Sequence, residues 1–321
     1  MPASHDFMFR FREVSYSVLA TLFICALGIF MPFMGSFLSF IWAVPVGVLT
    51  AKSGLRAGLL SVFITTAGLV FLVSPLWGVG TGIQLGSLGL VLGYMLKRGS
   101  PLGHTLIAAF GTAILTMTLI FFLPLLASDG QQGLREELST TMDELLLRWQ
   151  QAGVFEREGI NRQAVEESLN KSMDWFMKIL PSMTVITAMI SAFLNFIISR
   201  GFLRRLGVDI SELPPFRSWR VPWFTSWGIV FGLGLALLGD YLDMGRLFYA
   251  GQNVVLSLTP IILVMGLSVA VHMYSRLKSQ FVKLILIFVS FFYLPLTIGV
   301  LALVGAFDPL VDFRKILSNK E

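Results

Sequence analysis

The sequence has 321 residues, of which 55% belong to the hydrophobic class and only 13% are charged, and its formal net charge is +5. A soluble domain carries about 45–50% apolar and about 25% charged residues, so this composition excludes a soluble globular fold. The mean hydropathy of +0.78 agrees with that exclusion, and we expect an integral membrane protein.

The apolar residues form nine stretches, and a membrane-spanning helix needs about 20 such residues. None of the stretches alternates as the strands of a transmembrane barrel do. We therefore predict an all-α, polytopic transmembrane helical bundle of eight to nine spans. The stretches are residues 14–34, 36–51, 55–73, 76–96, 103–126, 176–199, 222–239, 252–274 and 281–305, of which the second and seventh are short.

Small residues recur on one helix face in two of these stretches. Ser17, Thr21 and Cys25 repeat every four positions in the first stretch, and Gly82, Gly86, Gly89 and Gly93 lie near one face at spacings of three or four in the fourth. Small residues at this spacing let helix backbones approach closely. Each face fits either internal packing, which every bundle needs, or contact with a partner helix.

Residues 127–175 form the one large polar segment, with ten acids and five bases. Leu134, Leu138, Met142, Leu145 and Trp149 recur at helical spacing, and Asn161 can cap a second helix. We predict an extramembrane helical hairpin that serves as an outer lid or as a solvated connector. The predicted domains are an amino-terminal bundle of five spans (1–126), this hairpin (127–175) and a carboxy-terminal bundle of three to four spans (176–321).

Charge placement predicts the orientation, because short cytoplasmic loops are rich in Lys and Arg. With the amino terminus inside and nine alternating spans, the cytoplasmic segments hold fourteen bases and four acids. This places residues 127–175 outside and residues 200–220 inside. Nine spans put Arg314 and Lys315 outside, whereas eight put them inside. The basic residues are spread over separate loops, which argues against nucleic-acid binding.

Amide side chains at membrane depth are candidates for a ligand site, since each needs a polar partner or a water-filled cavity. These candidates are Gln84, Asn195, Gln252 and Asn253. If a ligand binds, we expect Gln84 and Asn195 to share one cavity. A site of amides without buried charge suits a small neutral or zwitterionic ligand. The alternative is that these amides hydrogen-bond between helices.

The segment "ELPPFRSWRVPWFTSW" (212–227) combines three prolines with three tryptophans and two arginines. Tryptophan favours the headgroup level, and arginine can reach lipid phosphates. We predict an interfacial anchor that lies along the membrane surface and turns into the seventh span near Pro222, with the three indoles stacked on one side. The alternative is a docking strip for a cytoplasmic partner. The anchor residues are Phe216, Arg217, Trp219, Arg220, Pro222, Trp223 and Trp227.

Catalytic chemistry has little support in the sequence. It lacks the P-loop and the H-E-x-x-H and G-x-S-x-G patterns, and its three histidines and single cysteine lie far apart. We therefore expect no enzyme activity, no metal site and no cofactor.

Two motifs carry a resemblance to known proteins. "ELPPFRSWRVP" and the carboxy-terminal "DPLVDFRK" (308–315) resemble the YybS-like family of uncharacterised bacterial integral membrane proteins. The first half, with "MPFMGSFLSFIWAVPVGVLTAKSGLRAGLL", is similar to substrate-capture components of energy-coupling-factor vitamin transporters. The latter resemblance implies a vitamin-sized ligand, and it implies that Ser17, Thr21 and Cys25 face a transmembrane partner.

Two functions remain open at this point. One is a small-molecule uptake component that borrows an energising membrane partner. The other is a non-transporting membrane organiser, such as a partner in envelope or cell-division assembly. In either case the protein would lie in a lipid bilayer, and the YybS-like resemblance implies that this is a bacterial plasma membrane.

Overall fold

The computed structural model describes residues 2–31, 35, 37–125, 130–155 and 161–318. All regular structure in these ranges is helical, which confirms the all-α fold class. Twelve α-helices and one 3-10 turn follow the chain in this order: α1 Pro2–Phe30, α2 Val44–Ser53, α3 Leu55–Leu72, α4 Pro75–Lys97, α5 Leu102–Leu125, α6 Gly130–Gln151, α7 Arg162–Arg205, the 3-10 turn Phe216–Ser218, α8 Phe224–Tyr241, α9 Gly245–Arg276, α10 Gln280–Phe292, α11 Leu294–Val311 and α12 Phe313–Ser318.

Seven of the described helices are long and apolar enough to cross a membrane: α1 from Phe11 onward, α3, α4, α5, α7, α9 and α11. The polytopic character is confirmed, although this number is below the eight to nine predicted spans. In the described part of the predicted second span, residues 39–43 form turns, and the ten-residue α2 follows them. Ten helical residues rise about 15 Å, which is half the thickness of the hydrocarbon core.

The chain divides into two compact units, which are described separately. The first unit comprises Met1–Leu169 and Thr184–Glu212, and the second comprises Asn170–Met183 and Leu213–Glu321. Helix α7 contributes residues to both units.

Helix α4 occupies the centre of the first unit, where it packs against α2, α3 and α5. Its glycine face makes this possible. A Cβ at Gly82 or Gly86 would collide with side chains of α3, and one at Gly89 or Gly93 would collide with α2. The glycine repeat therefore serves internal packing. Lys52 at the end of α2 pairs with Glu13 of α1 (Nζ–Oε1 2.6 Å), so these charged residues lie at the same end of the unit.

Helix α6 and the amino-terminal end of α7 match the two helices expected in residues 127–175. The Asn161 side chain accepts a hydrogen bond from the Gln163 amide (2.9 Å), which confirms the predicted cap. The apolar stripe on α6 differs from the prediction, since Leu146 is buried whereas Leu145 and Trp149 are exposed. The observed stripe continues the four-residue step of Leu134, Leu138 and Met142.

Helices α8 and α9 form an antiparallel hairpin in the second unit. A Cβ at Gly239 would meet the backbone of Phe248, and one at Gly232 would meet side chains of Val254 and Val255, farther along α9. Helix α11 crosses α9 at a second glycine contact. A Cβ at Gly266 would overlap the Leu301 carbonyl, and one at Gly305 would overlap the Ile262 carbonyl.

The predicted ninth span, residues 281–305, is divided between α10 and α11 at Tyr293. Pro295 explains the break, because it has no amide hydrogen to donate to the preceding helical turn. Helix α11 ends beside the start of α8, where the Ser226 hydroxyl donates to the Ala306 carbonyl (2.8 Å). The residues after α11 therefore lie at the same end of the unit as residues 213–223. A single straight helix over 281–305 would instead carry the chain to the opposite end of the unit. The choice between eight and nine spans stays a prediction.

Candidate anion-binding site

The segment before α8 contains a compact turn that follows its two prolines. Pro214 and Pro215 keep the chain extended, and Phe216–Ser218 then form a single 3-10 turn. The Trp219 indole donates to the Pro214 carbonyl (3.0 Å) and packs edge-on against Phe216, with 5.1 Å between ring centroids. Phe216 and Trp219 are thus half-buried within this turn.

Arg314, from the short helix α12, holds the turn in place. Its guanidinium donates to the carbonyls of Arg217 (3.1 Å) and Trp219 (2.9 Å) and to the Ser268 hydroxyl (3.1 Å). Ser268, on α9, donates in turn to the Phe216 carbonyl (2.7 Å). Arg314 thus holds the backbone at Arg217 and Trp219, and Ser268 adds a second bond to the Phe216 carbonyl, which also accepts from the Trp219 amide (3.1 Å).

Two acids balance part of the positive charge. Asp308 lies 3.6 Å from the Arg314 guanidinium, and both side chains are buried. Asp312 accepts two hydrogen bonds from Arg220 (3.0 and 3.2 Å) and lies 3.6 Å from Lys315. Burial raises the pKa of Asp312, but the hydrogen bonds and the charge of Arg220, helped by Lys315, outweigh burial and hold that pKa below its ordinary value. Burial has the opposite effect on a cation, and it lowers the pKa of Arg314.

A cavity of about 530 Å³ opens beside this turn. Its lining residues are Pro215, Arg217, Ser218, Arg220, His272, Ser275, Arg276 and Arg314. Four arginines line this cavity. Among the described residues, two carboxylates, those of Asp308 and Asp312, form ion pairs with these arginines. The buried Nε2 atom of His272 has no hydrogen-bond partner within the described part of the chain. A cavity of this size and charge can hold a small anion-bearing molecule.

The predicted anchor residues fall into two groups. Phe216, Arg217, Trp219 and Arg220 form the turn and the cavity wall, whereas Pro222 precedes α8. Trp223 and Trp227 are 62% and 58% exposed at the start of α8, as interfacial residues would be. The predicted stack of three indoles is wrong, because Trp219 lies outside the helix and packs on Phe216.

Asn195 is fully buried in the first unit. Its Nδ2 donates to the Phe40 carbonyl (2.6 Å) and to the Ser191 carbonyl (2.8 Å). Phe40 can accept because residues 39–43 form turns in which that carbonyl is not used by a regular helix. Gln84, on α4, is half-buried, and its backbone carbonyl accepts from the Ser87 hydroxyl (3.2 Å). A shared cavity for Gln84 and Asn195 stays a prediction.

The Asn253 side chain compensates for a proline inside α7. Pro181 lies within that helix, and next to it the Asn253 side-chain amide accepts from the Ser182 backbone amide (2.9 Å) and donates to the Lys178 carbonyl (2.8 Å). It thereby replaces one backbone hydrogen bond next to the proline. Its polar atoms are used in interhelical bonding, the alternative considered for these amides. The neighbouring Gln252 is half-buried on α9.

The face of Ser17, Thr21 and Cys25 packs inside the first unit. All three side chains are buried, and the Ser17 hydroxyl accepts a bond from Ser61 of α3 (3.0 Å). This burial and the Ser17–Ser61 bond favour internal packing, one of the two readings of this face, and contact with a partner helix stays a prediction. No group of three or more His, Cys, Asp or Glu side chains that could hold a metal ion occurs among the described residues.

Sequence reasoning missed His272, Ser275 and Arg276 as cavity residues and did not connect Arg314 with the turn. The available signal was the pair of motifs that carried the resemblance. "ELPPFRSWRVP" and "DPLVDFRK" are about 90 residues apart, and the bonds from Arg220 to Asp312 and from Arg314 to Arg217 join them. The two motifs therefore build one site.

The fold and this site define the class: an α-helical, polytopic membrane protein with an arginine-lined cavity at one end of its second unit. The chain belongs to the family described as "Predicted membrane protein (DUF2232)", whose profile matches residues 18–309. It is similar to the "Uncharacterized protein YybS" of Bacillus subtilis (strain 168), with 26% identity over 216 residues. That alignment covers 64% of this chain and 66% of the relative's length. The comparison with solved structures gave no match.

Proposed function

We propose that this protein is a non-enzymatic small-molecule uptake component of the bacterial plasma membrane, with its amino terminus in the cytoplasm. The observation that carries the proposal is the ligand-sized cavity of about 530 Å³ at one end of the second unit, which is lined by four arginines, a histidine and two serines. In a transporter, such a cavity would hold the substrate or release it at one membrane face. Energy for transport would come from a membrane partner.

The lining of this cavity favours an anionic ligand over the neutral or zwitterionic ligand expected from the buried amides. Four arginines line it, whereas Asn195 and Asn253 hydrogen-bond with neighbouring backbone. A neutral ligand would leave the guanidinium charges of Arg217 and Arg276 without a counterion, which is unfavourable in a partly enclosed space.

The test is gentle purification followed by mass spectrometry of retained small molecules. We expect wild-type protein to retain an anionic molecule that the double variant Arg217→Gln/Arg276→Gln releases. Both arginines are exposed, so the variant should fold. Arg246→Gln, at the opposite end of α9 from Arg276, is the matched control and should retain the molecule. Equal retention by all three proteins would contradict the assignment of the ligand to this cavity.

A second candidate, a non-transporting membrane organiser, is favoured by α10. This helix is apolar except for Gln280, Lys283 and Ser290, and none of its residues is buried. Its surface is free to face lipid or another membrane protein. Co-purification of envelope proteins without any retained small molecule would favour this function. Substituting Phe281, Phe288 and Phe291 together by alanine should then release the partner.

A further inference from the structure

We propose that the arginine-lined cavity recognises a phosphate group, with Arg217 and Arg276 as its principal ligands. The inference deepens the proposed function and rests on it, because it names the chemical group that the cavity would hold.

The positive charge of the cavity is only partly neutralised. Asp308 faces Arg314, and Asp312 binds Arg220 in a two-pronged contact. Arg217 and Arg276 have no carboxylate within ion-pair distance among the described residues. Two guanidinium charges therefore remain at the cavity wall, and they match the charge of about −1.5 to −2 of a phosphate monoester at neutral pH.

The donors that remain available are mainly nitrogen atoms. The hydroxyls of Ser218 and Ser275 donate to the carbonyls of Pro215 and His272, both at 2.7 Å. His272 lines the same cavity, and its Nε2 atom has no partner in the part of the chain that the structure describes. With hydrogen on Nε2, the imidazole would add one donor to those of the arginines.

Phosphate fits this donor set better than a lone carboxylate does. One arginine satisfies a carboxylate with two parallel hydrogen bonds, as Arg220 does for Asp312. A phosphate monoester presents three oxygens and can engage two arginine forks and an imidazole at once. Arg314 is a positioning residue here, since it holds the carbonyl of Arg217 through a 3.1 Å bond.

The depth of the cavity allows two sources of phosphate. Trp223 and Trp227 are exposed in the segment that leads from Arg220 into α8. Exposed indoles at a helix end mark the headgroup level of a bilayer. The phosphate can therefore belong to a lipid headgroup or to a soluble phosphate compound, and the two share the same recognition chemistry.

The experiment measures thermal unfolding of the full-length protein in a phosphate-free neutral detergent. Inorganic phosphate is titrated at constant ionic strength with chloride in one arm, and short-chain phosphatidic acid replaces it in the other. We expect a saturable rise in melting temperature in at least one arm. Each lost arginine contact should weaken binding on the order of tenfold. Arg217→Gln/Arg276→Gln should lose most of the rise, and Arg246→Gln should keep it.

A rise in melting temperature in either arm supports phosphate recognition. A rise with inorganic phosphate supports a soluble source, and a rise with phosphatidic acid alone supports a lipid headgroup. An equal rise with chloride, or one that the double variant retains, would overturn the proposal, as would no rise in either arm. Phosphate binding without a transported or retained small molecule would leave this site standing and refute uptake. A retained molecule that lacks phosphate and needs the two arginines would refute phosphate recognition and leave the uptake proposal standing.

Discussion

At the scale of single residues, Arg314 has the strongest structural role in the site. Its side chain is only 4% exposed, and it joins α12, α9 and the 3-10 turn through three hydrogen bonds. Breaking a buried pair leaves an uncompensated charge, here that of Asp308, and costs about 3–5 kcal/mol.

We therefore expect Arg314→Gln to lower the free energy of unfolding by about 3–5 kcal/mol, measured by denaturation in detergent. Lys315→Gln is the matched control, because the Lys315 side chain is 77% exposed. Its loss should change the free energy of unfolding by less than about 1 kcal/mol. Similar stabilities for the two variants would show that Arg314 does not hold the turn.

The Asp312 carboxylate gives a pH-dependent prediction. Its folded-state pKa lies below its ordinary value, chiefly because Arg220 outweighs the effect of burial. Its contribution is therefore fully present above the unfolded pKa of about 4, and it is lost as the pH falls through the folded pKa. We expect the difference in melting temperature between wild type and Asp312→Asn to be largest at neutral pH and to shrink in acid. A difference that grows on acidification would reverse the assigned sign.

At the scale of elements, glycines determine where helices touch. Helices α9 and α11 meet at Gly266 and Gly305, where each Cα faces backbone of the other helix. Gly299, also on α11, faces open space, and a methyl group added there would have no neighbouring atom within 4 Å. These glycines thus separate a packing effect from an effect of helix propensity.

We expect Gly266→Ala to destabilise the protein by about 1–3 kcal/mol, because the added methyl forces the α9 and α11 backbones apart. Gly299→Ala should be neutral or stabilising by up to about 1 kcal/mol, since alanine is the better helix former. Thermal unfolding of both variants measures the contrast. Equal effects would mean that the α9–α11 contact can relax without cost.

At the scale of the whole molecule, the membrane topology can be tested directly. Arg314 contacts the 3-10 turn, so the carboxy-terminal residues and Ser218 should lie on one side of the membrane. We expect cysteines placed at Ser218 and after Glu321 to be labelled by an impermeant reagent from the same side. A cysteine at Ser139 should be labelled from the opposite side, as the charge distribution predicts. Cys25→Ala provides the background, and labelling of the first two from opposite sides would contradict the observed arrangement.

The sequence by itself determined the membrane class, the helical fold and several local features. Composition was sufficient for the class, because a soluble fold cannot cover the surface of a chain that is 55% hydrophobic and only 13% charged. The Asn161 cap binds an amide two residues away, and the glycine repeat of α4 lies within one helix, so both patterns were visible along the chain. The chemistry of "ELPPFRSWRVPWFTSW" also marked that segment as unusual.

Only the tertiary structure decided what that segment does. Its carbonyls are satisfied by Arg314 and Ser268, which lie far along the chain, and the cavity joins it to His272 and Arg276. Hydropathy could not show that residues 281–305 break at Tyr293, because a proline is tolerated in membrane helices as well as at their ends. It also could not pair Asp312 with Arg220, since an ion pair depends on distance in space and carries no signal in local sequence.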